Sequence, residues 1–151
     1  MTMSAVLSAA DDYSDDRQIA QLRVPPHSNE AESSVLGGLL LDNGAWDRVS
    51  DLLTDEDFYR YEHKLVYGAI GALINASKPA DVITVFEHLQ SQGKADEIGG
   101  LAYLNSLAQY VPSAGNIRRY AEIVRERSIL RKLVSASDEI ATNAFNPKGR
   151  P

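Results

Sequence analysis

Three histidines and one acidic run are the side chains of this sequence most suited to chemistry. The histidines, His27, His63 and His88, lie far apart, and the chain has no cysteine and no HxxxH pattern beside them. Because a metal site gathers several ligands at characteristic spacings, no metal site is predicted. The acidic run 55–57 falls at a predicted helix start, where negative charge suits the helix dipole, and no nucleophile or partner base accompanies it. We therefore predict no catalytic residue, no metal ligand and no cofactor-binding residue in this chain.

Two glycine pairs could suggest a phosphate loop, but neither has the required neighbours. Gly37-Gly38 and Gly99-Gly100 are each followed by leucine, and nowhere does the sequence read GxxxxGK[ST]. We expect no ATP hydrolysis by this chain. The first pair falls inside a predicted helix, where glycine costs up to about 1 kcal/mol relative to alanine, so it predicts a close approach between helices.

Basic residues gather late in a chain whose net charge is −6. A possible nucleic-acid face consists of Arg118, Arg119, Arg125, Arg127 and Lys132. Glu122 and Glu126 are interleaved with it, and their spacing favours ion pairs along the helix. Interface salt bridges or a solvated helix face are therefore favoured over phosphate contacts, and a single-strand-binding module stays open as the alternative. Trp46, Phe58, Tyr59 and Phe86 could stack on bases, but their spacing among leucines favours a core.

The hydrophobic pattern predicts an all-α fold, with a compact multi-helix head followed by a long helix. Residues 1–21 read as a disordered acidic tail and residues 22–112 as the head. Predicted helices are 29–41, 45–53, 62–75, 82–93 and one opened by Gly99-Gly100 and ended by Pro112. Ser28 or Asn29 is expected to cap the first helix, with Asn29 and Glu32 forming a capping box. Thr54 and Asp57 together are expected to cap a short turn. Asp81 is expected to cap the helix 82–93.

The last helix is predicted from Ala114 to Ala144 after a cap at Ser113, and we assign 113–145 to it. Its first apolar group, Ile117, Tyr120, Ala121 and Val124, is expected to face the head. We call the second group the apolar stripe, and it consists of Leu130, Leu133, Val134, Ser137, Ile140, Ala141 and Ala144. An apolar helix face that leaves its own domain needs something to lie against. Residues 146–151 read as a turn at the start of a return segment, so the long helix is expected to begin a helical hairpin.

The composition fits a protein of a reducing cytosol. The absence of cysteine excludes disulfides and thiolate metal sites. The first residues lack the basic start and apolar core of a signal peptide, and no stretch is long and apolar enough to span a bilayer. We expect a soluble, cytoplasmic protein with no membrane partner.

Several strings, in order, resemble the N-terminal domain of the DnaB-type replicative DNA helicase of bacteria. They are NEAESSVLGGLLLDNGAW, DEDFYRYEHKLVYGAI, KPADVITVFEHL, EIGGLAYLNSLAQYVPSAGNI and RRYAEIVRERSILRKL. The resemblance covers residues 22–151, nearly everything after the tail. It implies a non-catalytic collar domain that assembles as a trimer of dimers in a hexameric ring and recruits primase through the C-terminal domain of primase.

The resemblance also implies where chemistry and partners lie. In this family the ATPase is a RecA-like domain after a linker, so ATP and magnesium, and most DNA contacts, are expected there, in the ATP-dependent helicase to which this domain would belong. Self-association or primase docking is assigned to Leu130, Arg131, Leu133, Val134 and Ile140. Glu30 and Tyr103 are further candidates for the partner surface, and a helicase loader is a possible further partner.

Overall fold

A computed structural model describes residues 23–110 and 116–147, and these contain helices and turns but no strand. The predicted tail, Pro112, Ser113 and residues 148–151 lie outside the described residues. The helices are α1 (Asn29–Leu41), α2 (Trp46–Val49), α3 (Tyr61–Asn75), α4 (Val82–Ser91), α5 (Gly100–Gln109) and α6 (Ile117–Phe145). Short 3₁₀ turns cover Asn43–Ala45, Asp55–Asp57 and Asp96–Ile98. The predicted all-α fold class is confirmed.

The first helix has both of its predicted ends, but its predicted capping box is wrong. The Ser28 hydroxyl caps α1 by accepting from the backbone N–H of Ala31 at 3.1 Å. Glu32 does not reach back to Asn29, because its side chain is buried and binds other elements of the head. The Glu32 carboxylate therefore makes long-range hydrogen bonds in place of the predicted local bond to Asn29.

The predicted second helix, 45–53, is too long. The chain makes a 3₁₀ turn at Asn43–Ala45, capped by Asp42 Oδ1, and only Trp46–Val49 are helical. The N–H groups of Leu52 and Leu53 both bond the Val49 carbonyl, which closes a turn and buries Leu53. Burial of that leucine against the head ends the helix early.

The remaining head helices start and stop close to their predicted positions. Helix α3 begins at Tyr61 rather than residue 62, and α4 ends at Ser91 rather than residue 93. Asp81 caps α4 as predicted, with Thr84 as the reciprocal partner. Gly99 adopts φ 92°, a left-handed conformation that glycine accepts readily, and α5 starts at the next residue.

Helix α1 lies at the centre of the head and packs against α3, α5 and α6. Val35, Leu36 and Leu39 on α1 are fully buried, together with Phe58 and Leu104. The close approach predicted from Gly37 is confirmed, since a Cβ at this position would lie 2.2 Å from the Leu107 carbonyl oxygen. The α1 glycines therefore let α5 and α6 reach the α1 backbone.

The long helix has two halves with different surroundings. Ile117, Ala121 and Val124 are buried against the head and Tyr120 is partly buried there, as predicted. Ser128 is the last buried residue of α6. The 14 residues 132–145 are exposed, and they form an arm about 21 Å long at 1.5 Å per residue. No helix among the described residues is long and apolar enough to cross a membrane.

Candidate functional site

The apolar stripe on α6 lies on the exposed part of the long helix. Leu130 is 44% exposed, Leu133 58%, Val134 47% and Ile140 70%, and Ser137, Ala141 and Ala144 are also exposed. Ile129 and Phe145 are large exposed side chains on the same segment that the sequence analysis did not select. A row of half-exposed aliphatic side chains on one helix is a feature typical of a protein-protein contact.

The predicted nucleic-acid face is largely occupied by ion pairs and hydrogen bonds within the chain. Arg118 donates to the Arg48 carbonyl at 2.8 Å and to Asp51 at 3.1 Å, and Arg125 donates to Asp57 at 2.7 Å. Arg119 pairs with Glu122, three residues further on, as the spacing predicted, and also with Glu126, seven residues further on. Among the described residues, Arg127 and Lys132 have no ion-pair partner. Only two of the five cations are thus unpaired, which is a weak basis for gripping phosphates.

A buried carboxylate, Asp57, joins the head to the long helix. Its residue is only 2% exposed, and its oxygens accept from Arg125 at 2.7 Å, from the Ser128 hydroxyl at 2.8 Å and from the Thr54 N–H at 2.8 Å. The Thr54 contact is the predicted cap. The two contacts from α6 were not predicted, because a residue 68 or 71 positions away leaves no local signal.

Arg131 completes this junction on the other side. Its guanidinium donates to the Asp57 carbonyl at 2.6 Å and to the Pro26 carbonyl at 2.8 Å, and it lies 5.5 Å from the centre of the Tyr59 ring. Tyr59 stacks in turn on His27, with ring centres 4.2 Å apart. We name Asp57, Arg125, Ser128 and Arg131 the clamp. The docking role assigned to Arg131 stays a prediction, alongside this contact within the chain.

Electrostatics at the clamp favour ionised Asp57. Burial opposes ionisation, but the hydrogen bonds from the Thr54 N–H, the Ser128 hydroxyl and Arg125 outweigh it, and the pKa of Asp57 falls below its ordinary value. A hydrogen bond from Arg118 similarly lowers the pKa of the exposed Asp51 carboxyl. Both ends of the buried half of α6 are therefore fastened to the head by arginine–carboxylate contacts.

A second buried polar group lies inside the head. Glu32 accepts from His63 Nδ1 at 2.7 Å and from the Tyr59 N–H at 2.8 Å, and His63 Nε2 bonds the Tyr103 hydroxyl at 2.5 Å. His63 is fully buried, so it belongs to the interior of the head. Burial raises the pKa of Tyr103, which favours the protonated hydroxyl. The network joins the loop before α3 to α1 through Tyr59, and joins α3 to α1 and α5 through His63.

The other candidate residues are spread over the head. Glu30 is exposed on the first turn of α1, and Tyr103 is partly buried, so the two do not lie on a shared site within the described contacts. The position of His88 on α4 predicts an exposed side chain, but the structure shows it half-buried. Phe58 is a core residue, and Trp46, Tyr59 and Phe86 are partly buried, which fits packing better than base stacking.

Comparisons with known proteins agree on one family. Residues 24–126 match the family described as DnaB-like helicase N terminal domain. The replicative DNA helicase DnaB of Haemophilus influenzae is 44% identical over 137 residues, which are 91% of this chain and 29% of that protein. The chain thus spans less than a third of the length of this curated relative.

Two solved structures carry the same fold. The crystal structure of the N-terminal domain of DnaB helicase from Mycobacterium tuberculosis has a TM-score of 0.79 and 42% identity, and the match covers 81% of this chain and 88% of that one. The N-terminal domain of DnaB helicase from Helicobacter pylori, described with its interactions with primase, has a TM-score of 0.69 and 25% identity over 78% and 91% of the two chains. With the family matched over most of the described residues and the fold shared, this chain belongs to the family of DnaB-like helicase N-terminal domains.

Proposed function

We propose that this domain is a non-catalytic docking module of a replicative DNA helicase, and that the apolar stripe is its contact surface. The observation that carries the proposal is the exposed row Leu130, Leu133, Val134 and Ile140 on the arm of α6. Two occupants are proposed. One is a second copy of the domain, within a trimer of dimers that forms a collar on a hexamer. The other is the C-terminal domain of primase, and the Helicobacter pylori relative was described with primase interactions.

The area of the stripe sets how strong self-association through it can be. Complete burial of a leucine, isoleucine or valine side chain contributes about 1.5–3 kcal/mol, and these four are roughly half exposed. Burying what remains therefore contributes about 1 kcal/mol each, or about 8 kcal/mol for two symmetric copies. Association costs about 4–15 kcal/mol, so pairing through the stripe is weak unless a return helix adds area. We expect a reversible, concentration-dependent dimer.

Sedimentation equilibrium of the chain tests this proposal with a matched pair of variants. Leu133→Asp places a carboxylate in the middle of the stripe. Ile83→Asp does the same on α4 of the head, at a side chain of similar exposure, 55% against 58%. We expect self-association in the wild type and in Ile83→Asp and its loss in Leu133→Asp. A monomeric wild type, or equal association of both variants, would refute self-association through the stripe.

The wider role is part of the same proposal. The whole protein is proposed to unwind duplex DNA using ATP and magnesium bound in another domain, in the bacterial cytoplasm. Glu30 and Tyr103 are proposed as weaker parts of the partner surface, and a helicase loader as a further partner. The contribution proposed for this domain is scaffolding.

The alternative function, single-strand binding by the basic face of α6, has less support. Arg118 and Arg125 already bond carboxylates of the head, and Arg119 bonds its own helix. Arg127 and Lys132 would have to supply the grip. The test is binding of the chain to a labelled single-stranded nucleic acid. Affinity that falls steeply with salt and is lost when Arg127→Glu and Lys132→Glu are combined would favour this alternative. Absence of such binding would rule the alternative out.

A further inference from the structure

In the described part of the chain, the exposed arm of α6, residues 132–145, is attached to the head only through the part of the helix that precedes it. Val124 is the last buried apolar residue of α6, and Ser128 is the last buried residue of any kind. From Lys132 onward no side chain has a hydrogen bond or ion pair with the head among the described residues. The direction of the exposed arm therefore depends on the contacts around residues 125–131.

These contacts differ in kind from those earlier in the helix. Ile117, Ala121 and Val124 bury apolar surface against the head, and such burial is non-directional. The clamp instead consists of hydrogen bonds of 2.6–2.8 Å from Arg125, Ser128 and Arg131 to one residue, Asp57. Hydrogen bonds weaken steeply away from good alignment, so the clamp restricts tilt and rotation that the apolar contacts permit.

We propose that Asp57 is a positioning residue that sets the angle at which the arm leaves the head and so presents the apolar stripe to its partner. The link to docking rests on the proposed function of the stripe, whereas the angle itself does not. The arm acts as a lever. Thr142 lies about 16 Å beyond Arg131 along the helix, so a tilt of about 15° at the clamp displaces it by about 4 Å.

The clamp also connects the arm to the segment that precedes α1. Arg131 bonds the Pro26 carbonyl, and His27 stacks on the Tyr59 ring that lies under the guanidinium. Tyr59 is itself held to α1, because its N–H donates to Glu32. Arg131 thus connects the start of the arm to α1 through Tyr59.

Distance measurements between paired spin labels test the proposal directly, and the natural chain has no cysteine to remove. Glu87→Cys on α4 and Thr142→Cys on the arm report the arm angle. Glu87→Cys with Asp47→Cys on α2 reports the head alone. All three labelled positions are exposed. Labelled chain is diluted with unlabelled chain so that each distance lies within one molecule.

The clamp is perturbed with Asp57→Asn, which removes the charge and keeps the shape. The matched control is Arg119→Gln. This arginine lies on the same helix, and within residues 23–110 and 116–147 its ion pairs are with α6 glutamates only. We expect Asp57→Asn to broaden or shift the head-to-arm distance by about 4 Å while the head pair stays unchanged. Arg119→Gln should move neither. If Asp57→Asn does not fold, Ser128→Ala should give a smaller change in the same direction. An unchanged head-to-arm distance in every folded clamp variant would overturn the proposal.

Self-association of the same variants separates this inference from the proposed function. We expect Asp57→Asn to weaken it by about tenfold because a loosely held arm must be ordered on binding. Leu133→Asp should abolish association without moving the labels. If the labels move and association does not change, the link to docking is wrong. If Leu133→Asp associates normally, the proposed docking role of the stripe is wrong. The head-to-arm distance in the clamp variants then still tests whether Asp57 sets the angle of the arm.

Discussion

Two adjacent glycines of α1, Gly37 and Gly38, meet different obstacles, and this difference gives a sharp prediction. A Cβ on Gly37 would lie 2.2 Å from the Leu107 carbonyl oxygen and 2.8 Å from that of Tyr110, near the end of α5. A Cβ on Gly38 would lie 2.9 Å from the Cδ1 atom of Ile117. The first obstacle is backbone and cannot move without separating two helices. The second is the end of a side chain and can rotate away.

The magnitudes follow from two opposing effects. Alanine in place of glycine inside a helix stabilises the folded state by about 1 kcal/mol. Overpacking a core costs typically about 1–3 kcal/mol and occasionally more, and contact with two carbonyls belongs at the upper end. We therefore expect Gly37→Ala to lower the free energy of unfolding by about 2 kcal/mol or more. Gly38→Ala should change it by less than about 1 kcal/mol in either direction.

Urea unfolding of the two alanine variants measures this difference. Trp46 is the only tryptophan, and its ring centre lies 5.0 Å from that of Tyr67. Its fluorescence therefore reports on side-chain packing in the head, whereas circular dichroism reports on helix content. Coincident transitions from both probes would support two-state unfolding. Equal stability of Gly37→Ala and Gly38→Ala would refute the close packing of α1 against the end of α5.

Three further predictions concern the buried polar groups. Because the pKa of folded Asp57 lies below the unfolded value of about 3.9, its contribution to stability is present above that pH and is lost as the pH falls below it. Urea titrations should show this loss in the wild type and not in Asp57→Asn, and equal acid sensitivity would contradict it. Glu32→Ala removes the acceptor for the Tyr59 N–H and for His63 and should cost about 3–5 kcal/mol. Glu32→Gln keeps one acceptor and should cost less by the same assay. Tyr103→Phe removes one hydrogen bond to His63 and should lower the unfolding free energy by about 1–2 kcal/mol, and an unchanged thermal midpoint would argue against that bond.

Local patterns in the sequence were sufficient for most of the helices. The cap at Ser28, the cap at Asp81 and the glycine pair at 99–100 act over three or four residues, so they can be recognised without knowledge of the fold. The second helix was predicted too long because its end depends on burying Leu53 against other helices. A hydrophobic pattern predicts which face of a helix is buried more reliably than it predicts the residue at which the helix ends.

The residues that join the elements could not be predicted in the same way. Asp57 was interpreted as a cap, Arg125 as part of a surface face and Arg131 as a docking residue, yet the three meet at one junction. Charged residues that are paired in the fold have the same sequence signature as charged residues in solvent. The apolar stripe was different, because its three-four spacing continues beyond the last residue that can reach the head. Its exposure in the structure agrees with that pattern.

The most direct test of the docking claim is a calorimetric titration of the chain with the C-terminal domain of the cognate primase. We expect saturable binding at about 50 µM protein for the wild type and for Ile83→Asp, whose change lies on the head. Val134→Asp should bind no primase while circular dichroism shows that it remains folded. Absence of binding by the wild type, or equal binding by Val134→Asp, would contradict the assignment of the apolar stripe as the primase-docking surface.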